Sequence, residues 1–201
     1  MKKCLVILIN LLLLSCIGAM DLETSPPEAQ GISSEAILDF IHAAEEQVDA
    51  LHSFMLLRHG KVVAQGWWAP YESERPHMLY SLSKSFTSTA IGLAVAEDLL
   101  SLDDTVISFF PDEIPKSPSD NLKAMRIRDL LAMNSGHEHD TVNRIQNAEG
   151  KNWVEAYLSL PVEFKPGTHF VYNSGASFML SAILQKVTGK TVLGYLQLRL
   201  F

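Results

Sequence analysis

The chain has 201 residues, room for roughly one sizeable domain, and carries 23 acidic against 16 basic side chains, a formal net charge of −7. That acidic balance disfavours nucleic acid and anionic membrane surfaces as partners. Its two cysteines, Cys4 and Cys16, both lie in the first twenty residues. The rest of the chain therefore offers no disulfide, no thiolate nucleophile and no cysteine metal ligand, and its chemistry must use oxygen, nitrogen or imidazole groups.

Residues 1–20, "MKKCLVILINLLLLSCIGAM", place two lysines ahead of an apolar run too short to span a bilayer comfortably, and small residues come next. This is the pattern of a secretory signal. "LLSC", ending at Cys16, resembles a bacterial lipobox, in which the cysteine becomes a lipidated terminus; cleavage after Ala19 is the competing reading. Export to the bacterial cell envelope, periplasmic or lipid-anchored, or plain secretion follows from the one or the other. Loss of Lys2 and Lys3 with the signal would take the net charge from −7 to −9. Residues 21–34 are polar and rich in Pro, Gly and Ser, the composition of a tether, and residues 35–201 are expected to form the folded domain.

The first helix is expected over "SSEAILDFIHAAEEQV", with Ile37, Phe40, Ile41 and Ala44 at helical spacing and Ser33 or Ser34 as N-cap. The period then changes. "SFMLLRHGKVVAQGWW" is two apolar runs around "RHGK", a hairpin signal with Gly60 at the turn, and Trp67 and Trp68 are expected to serve sheet packing. From Ser81 to about Leu100 the pattern is helical and apolar on most faces, which predicts a central, buried helix. "SLDDTVISFFPDEIP" reads as a loop, and "RIRDLLAMNSG" as a helix closed by Gly136. A short amphipathic helix over "NWVEAYLSLPV" comes next, then a turn and an extended segment over "FKPGTHFVYNSGAS". "SFMLSAILQKVTGK" is a helix ending at Gly189, and "TVLGYLQLRLF" begins another. No internal repeat, low-complexity tract or phosphate-cradling glycine loop interrupts this order.

The chemistry centres on "YSLSKSFTS", residues 80–88. Ser81 and Lys84 stand three apart and so share a helix face. A serine hydroxyl is a weak nucleophile until a base takes its proton, and a lysine becomes that base when desolvation lowers its pKa. The small apolar run "FTSTAIGLAVA" supplies such a wall, and a helix N-terminus favours a developing oxyanion. A Ser-x-x-Lys tetrapeptide alone is a weak signal, since Ser–Lys pairs also occur on solvated helices.

Other clusters read as structural. "GHEHD" at 136–140 brings His137, His139 and Asp140 together, but with no third and fourth rigid ligand in view it reads as a solvated loop, and no metal or cofactor is expected. His77 precedes Ser81 by four residues and reads as a hydrogen-bond partner rather than a triad base. Asp103 and Asp104, adjacent in a turn, point apart and cannot flank one scissile bond; they read as turn or capping groups.

Several segments in sequence order resemble the penicillin-recognising serine hydrolases: class C β-lactamases, D-alanyl-D-alanine carboxypeptidases, and related esterases and aminohexanoate-oligomer hydrolases. "RHGKVVAQGW" resembles the family's N-terminal hairpin, "YSLSKSFTSTAIGLAVAEDLLSLDDTV" its nucleophile helix, "IRDLLAMNSG" its R-D-L-L-x-x-x-S-G helix and "KPGTHFVYNSGASFMLSAILQKVTGK" its P-G-x-x-F-x-Y segment. The resemblance runs from about residue 28 to the last residue. It implies an α/β protein of the α+β type, with a β-lactamase/transpeptidase-like arrangement of a helical region beside an antiparallel sheet. By resemblance, Ser81 is the acyl-forming nucleophile, Lys84 its base and Tyr172 the second acid/base group. Where the family usually has Tyr-x-Asn, this chain has Tyr172-Asn173-Ser174, so the substrate-binding position carries the hydroxyl of Ser174. That departure moves the expectation from β-lactams toward esters or amides.

The family also continues into a Lys-Thr-Gly or His-x-Gly strand and a larger sheet, so the C-terminal strands are expected to be missing here and the domain to be incomplete. The implied function is a serine hydrolase acting through an acyl-enzyme on a small-molecule ester, β-lactam or D-amino-acid amide. A non-catalytic envelope module that binds or senses a ligand, or a truncated inactive relative, are the alternatives. No nucleic-acid partner is expected, a membrane contact only through Cys16, and the oligomeric state is open.

Overall fold

The computed structural model describes residues 22–150 and 152–201. The expected signal, with Cys16, lies outside them. Two compact units make up the chain, one running to Met78 and one over Leu79–Phe201.

In the first unit, α1 (Ser34–Gln47) starts where Ser33 Oγ accepts a hydrogen bond from Ala36 N. β1 (Ser53–Arg58) and β2 (Lys61–Trp67) form the hairpin that the sequence pattern predicts, antiparallel, with Ser53 opposite Trp67 and Arg58 opposite Lys61. Its two-residue turn, His59–Gly60, takes positive φ at both positions (50° and 76°), the geometry that matches strand twist. The register shifts between Leu56 and Leu57, a local irregularity in β1. Phe40 of α1 packs on Phe54 of β1, ring centroids 5.2 Å apart. The indole of Trp68 donates to Glu45 Oε1 at 2.8 Å.

Residues 22–33, whose composition suggests a tether, are tied down in the structure. Thr24 bridges Val62 in parallel, Val62 N donates to Glu23 O at 2.7 Å, and Lys61 pairs with Glu23. The cause is an unused edge: β2 has backbone groups facing away from β1, and an extended polar segment can satisfy them.

The second unit is helical. α2 (Ser83–Ala96) packs against α7 (Ser174–Thr188), which also contacts α4 (Ile127–Leu131), α6 (Trp153–Leu158) and α8 (Val192–Leu196). α3 (Asp120–Ala124) and α5 (Val142–Gln146) complete the set. Side-chain oxygens of Ser119, Asn152, Asn173 and Thr191 cap α3, α6, α7 and α8. Gly189 ends α7 in the left-handed conformation.

The core is a seam between α2 and α7. α2 contributes the small or compact side chains Ala90, Ile91 and Ala94; α7 brings Met179, Ile183 and Leu184 down onto them, all fully buried. Burial of each of the larger chains contributes about 1.5–3 kcal/mol. α2 is thus buried along one stripe, at Thr87, Ala90, Ile91 and Ala94, and not on most faces as the pattern predicts. Its other side carries Ser85, Ser88, Thr89 and Gly92, which are exposed. The helix also stops at Ala96, short of Leu100: Asp98 turns to φ 56°, and Leu99 N returns to Ala94 O.

Candidate active site

Ser81 sits in a single 3₁₀ turn, Tyr80–Leu82, that runs directly into α2. Tyr80, the residue before it, has φ 46°, a left-handed backbone that non-glycine residues enter only at a cost. Ser83 Oγ donates to Tyr80 O at 2.7 Å and pins the bend from the helix side. Lys84 then lies one turn on, as the spacing predicts, and its ammonium donates to Ser81 Oγ at 3.1 Å.

The third group arrives from 91 residues away: the Tyr172 hydroxyl is 2.7 Å from Ser81 Oγ. The Lys84 ammonium also lies over the Tyr172 ring, 5.0 Å from its centroid. So Ser81, Lys84 and Tyr172 meet around one oxygen atom. Hydrogen bonding with Ser81 and then with Lys84, with the positive charge of Lys84 added, holds the Tyr172 phenol below its usual pKa; desolvation and the carboxylate of Asp140 work against it.

Irregular backbone places Tyr172. The segment 164–173 forms no strand; it is stitched to the loop that follows α4. Phe164 N donates to Gly136 O, Gly167 N to Asn134 O and Val171 N to Met133 O, each at 2.8 Å. Met133 accepts this role at φ 55°. Gly136, at φ 93°, must be glycine for a second reason: a Cβ there would collide with the carbonyl of Phe164. α4 is in turn fixed by Asp129, buried, whose Oδ2 accepts from Arg126 N at 2.9 Å.

Ser174 opens α7, and its backbone N–H donates to Asp140 Oδ1 at 2.9 Å. The same oxygen accepts from Val142 N at 3.0 Å, so Asp140 is a loop-to-helix clasp. His137 is not part of a solvated loop: it is 1% exposed, its Nδ1 shares a 3.0 Å hydrogen bond with Ser135 Oγ, and burial pushes its pKa down to about 4. The reason is its neighbour Tyr157, whose buried ring packs 4.9 Å away and closes the pocket over the imidazole. His139 stays exposed beside Glu138. Among the described residues no group of three or more His, Cys, Asp or Glu side chains could hold a metal ion.

His77 shares a 2.9 Å hydrogen bond with His52, points its other ring nitrogen at Met78 O and stacks on Tyr71, so both nitrogens are committed. Asp104 Oδ2 accepts from Ser101 N, while Asp103 pairs with Arg126 and Arg128. Asn173, which is fully buried, escapes a residue-by-residue reading of the sequence as a site component. The one signal it offers there is that of a helix cap: an Asn immediately before an apolar helical run.

The chain is similar to known hydrolases over much of its length. Over 163 residues the chain is 27% identical to a lovastatin esterase of Penicillium rubens, covering 70% of this chain and 41% of that protein. The octameric penicillin-binding protein homologue of Pyrococcus abyssi superposes with a TM-score of 0.63 at 25% identity, over 84% of this chain and 42% of that one. EstCE1, a hydrolase with promiscuous acyltransferase activity, superposes with a TM-score of 0.65 at 20% identity, over 87% of this chain and 51% of the other. The chain thus spans about half the length, or less, of these relatives. The shared fold is β-lactamase/transpeptidase-like, here as helices and a two-stranded antiparallel sheet among the described residues. The Beta-lactamase family model matches residues 44–201, well over half of the chain, and the chain belongs to that family.

Proposed function

We propose that the protein is a serine hydrolase that cleaves small esters through an acyl-enzyme on Ser81. The observation that carries this reading is the convergence of Lys84 Nζ and Tyr172 OH on Ser81 Oγ, at 3.1 and 2.7 Å. The acylating form of the Lys84–Tyr172 pair is the one that has lost one proton, shared as phenolate beside ammonium or phenol beside neutral amine; it takes the Oγ–H proton as Oγ attacks the ester carbonyl. The tetrahedral oxyanion is met by the backbone N–H of Ser81, at the start of the 3₁₀ turn. The pair returns the proton to the departing alkoxide, and then repeats both steps with water in place of serine. Tyr172 suits this traffic because its lowered pKa brings the phenol closer to neutrality, where a proton carrier is most effective.

Ester and amide substrates are favoured over β-lactams by the residue at 174, and esters are placed first of the two on a similar protein. Ser174 offers a hydroxyl at the position where the family usually presents an amide to grip a substrate carbonyl. The relation to the lovastatin esterase extends over 70% of this chain. A purely ligand-sensing module would have no need of a tyrosine and a lysine on one serine oxygen.

The test is covalent labelling of the full-length protein with a fluorophosphonate, followed by intact mass and peptide mapping. One adduct on Ser81, absent in Ser81→Ala, is the expected result, together with turnover of p-nitrophenyl butyrate. An adduct that persists in Ser81→Ala would move the nucleophile elsewhere.

A further inference from the structure

We propose that Asn173 is a positioning residue for Tyr172, holding the phenol on Ser81 from inside the protein; this rests on the acid/base reading of Tyr172 above. Tyr172 is 49% exposed and its hydroxyl has to be fixed against solvent, while its neighbour Asn173 is 0% exposed. The chain turns inward between them, and the carboxamide of Asn173 spends its hydrogen-bonding capacity largely on elements distant in sequence.

Asn173 Oδ1 accepts from Thr141 Oγ1 at 2.8 Å, from Thr141 N at 3.2 Å and from Ala176 N at 3.2 Å. The last is the N-cap of α7; the first two fasten that cap to the loop before α5. Asn173 Nδ2 points the other way, 3.4 Å from Ser135 Oγ, which is in turn bonded to His137. The backbone N–H of Asn173 meets Met133 Sδ at 3.3 Å, and Val171 N meets Met133 O at 2.8 Å. Tyr172 is therefore gripped on both flanks by the loop 133–141, with the buried amide as the inner fixing point.

Packing allows little slack. Gly175 lies so close to Thr141 Oγ1 that a Cβ on it would collide. Thr141 and Ser135 are themselves buried, at 0% and 2% exposure, so neither bond can be replaced by solvent. Loss of the carboxamide would leave buried donors unpaired, and the first element free to relax is the one-residue step that carries Tyr172. A misplacement of about 1 Å at a reacting group is enough to cost about 10²-fold in rate.

The experiment compares Asn173→Ala, Asn173→Asp and Tyr172→Phe in the full-length protein. It reads kcat and KM on p-nitrophenyl butyrate, thermal stability, and the titration of Tyr172 by NMR of Cζ-labelled tyrosine, with Tyr172→Phe assigning the signal. Asn173→Ala should lower kcat about 10²-fold with KM nearly unchanged, and the Tyr172 titration should move up toward that of a free phenol as the ring leaves Lys84. Asn173→Asp keeps an oxygen for the Thr141 and Ala176 donors, at a helix N-terminus that favours negative charge, and should recover most of the activity. Should Asn173→Ala not fold, Thr141→Val, which removes one donor and keeps the cap, should move both readouts the same way by less.

Wild-type kcat in Asn173→Ala, or a lost kcat with the Tyr172 titration unmoved, would overturn the positioning role. Full activity in Tyr172→Phe would instead overturn the acid/base reading, while the Tyr172 signal in Asn173→Ala would still report whether the amide holds the ring.

Discussion

Tyr80 and Ser81 divide one task. The left-handed backbone at Tyr80 presents Ser81 on a turn and not inside the helix, so its Oγ lies open to approach while its N–H stays near the positive end of α2. On the acyl-enzyme proposal Lys84 has two roles at that oxygen, a proton site when neutral and a charge when protonated, and they can be separated. Lys84→Ala removes both; Lys84→Arg keeps the charge but a guanidinium cannot take the proton. We expect Lys84→Ala to cost about 10²–10⁴-fold in kcat, and the rising limb of the pH–rate profile to move to higher pH as Tyr172 loses the ammonium that holds its pKa down. Lys84→Arg should restore the position of that limb without restoring kcat. Recovery of kcat by arginine would show that Lys84 acts by charge alone and that Tyr172 is the sole base. Of these residues, the closeness of Ser81 and Lys84 was legible in the sequence, because a spacing of three is a local fact about one helical turn, while the roles assigned to them rested on resemblance. Tyr172 was legible only by resemblance, and Asn173 not as part of a site, because its partners Ser135 and Thr141 stand 38 and 32 residues away and reach it only through the fold.

Among the elements, helices were the easiest to read, since their caps are written in neighbouring residues: Ser33, Gly189 and the apolar spacing of α7 each mark an end or a face. Segment 160–173 was harder. It carries no period because its hydrogen bonds go to loop carbonyls at Met133, Asn134 and Gly136, irregular acceptors that no local pattern announces. The same contrast sets the response to adding one methyl group. On the open side of α2, a methyl group placed on Gly92 would meet nothing within 4 Å, so Gly92→Ala should stabilise the protein by about 0.5–1 kcal/mol through helix propensity. Gly175→Ala is also a helical substitution, yet the new Cβ would strike Thr141 Oγ1. It should destabilise by about 1–3 kcal/mol and lower the rate of acylation as the α7 cap shifts. Urea unfolding of the two variants checks the sign; a stabilising Gly175→Ala would show that the loop before α5 yields and that the clasp on α7 is loose.

At the scale of the whole molecule, pH reaches the fold through a group that takes no part in the chemistry. His137 is buried against Tyr157 and titrates at about 4 in the folded protein, against 6.5 for a free imidazole. Between those two values the unfolded chain binds a proton that the folded chain refuses, so stability is complete above about pH 6.5 and drains away as pH falls toward 4, by about 3 kcal/mol over the interval. The carboxylates of Glu23, Glu28 and Glu97 have lowered pKa values as well, through hydrogen bonds to Lys61, Ser34 and Arg199, and they weaken the fold in acid in the same direction. They lie at the surface, where solvent screens such gains, and they act below the pH at which His137 begins to count. Comparing wild type with His137→Gln separates the two sources. Glutamine keeps a polar group beside Ser135 but cannot titrate, so the variant should be less stable at pH 7.5 and should lose little further stability between pH 6.5 and 5, where the wild type loses about half of its His137 contribution. Urea midpoints followed by circular dichroism at 222 nm, read at half-unit steps of pH, give the two slopes. Parallel slopes would mean that protonated His137 is tolerated in the fold, and that the pocket closed by Tyr157 admits either water or a counter-charge to the imidazole.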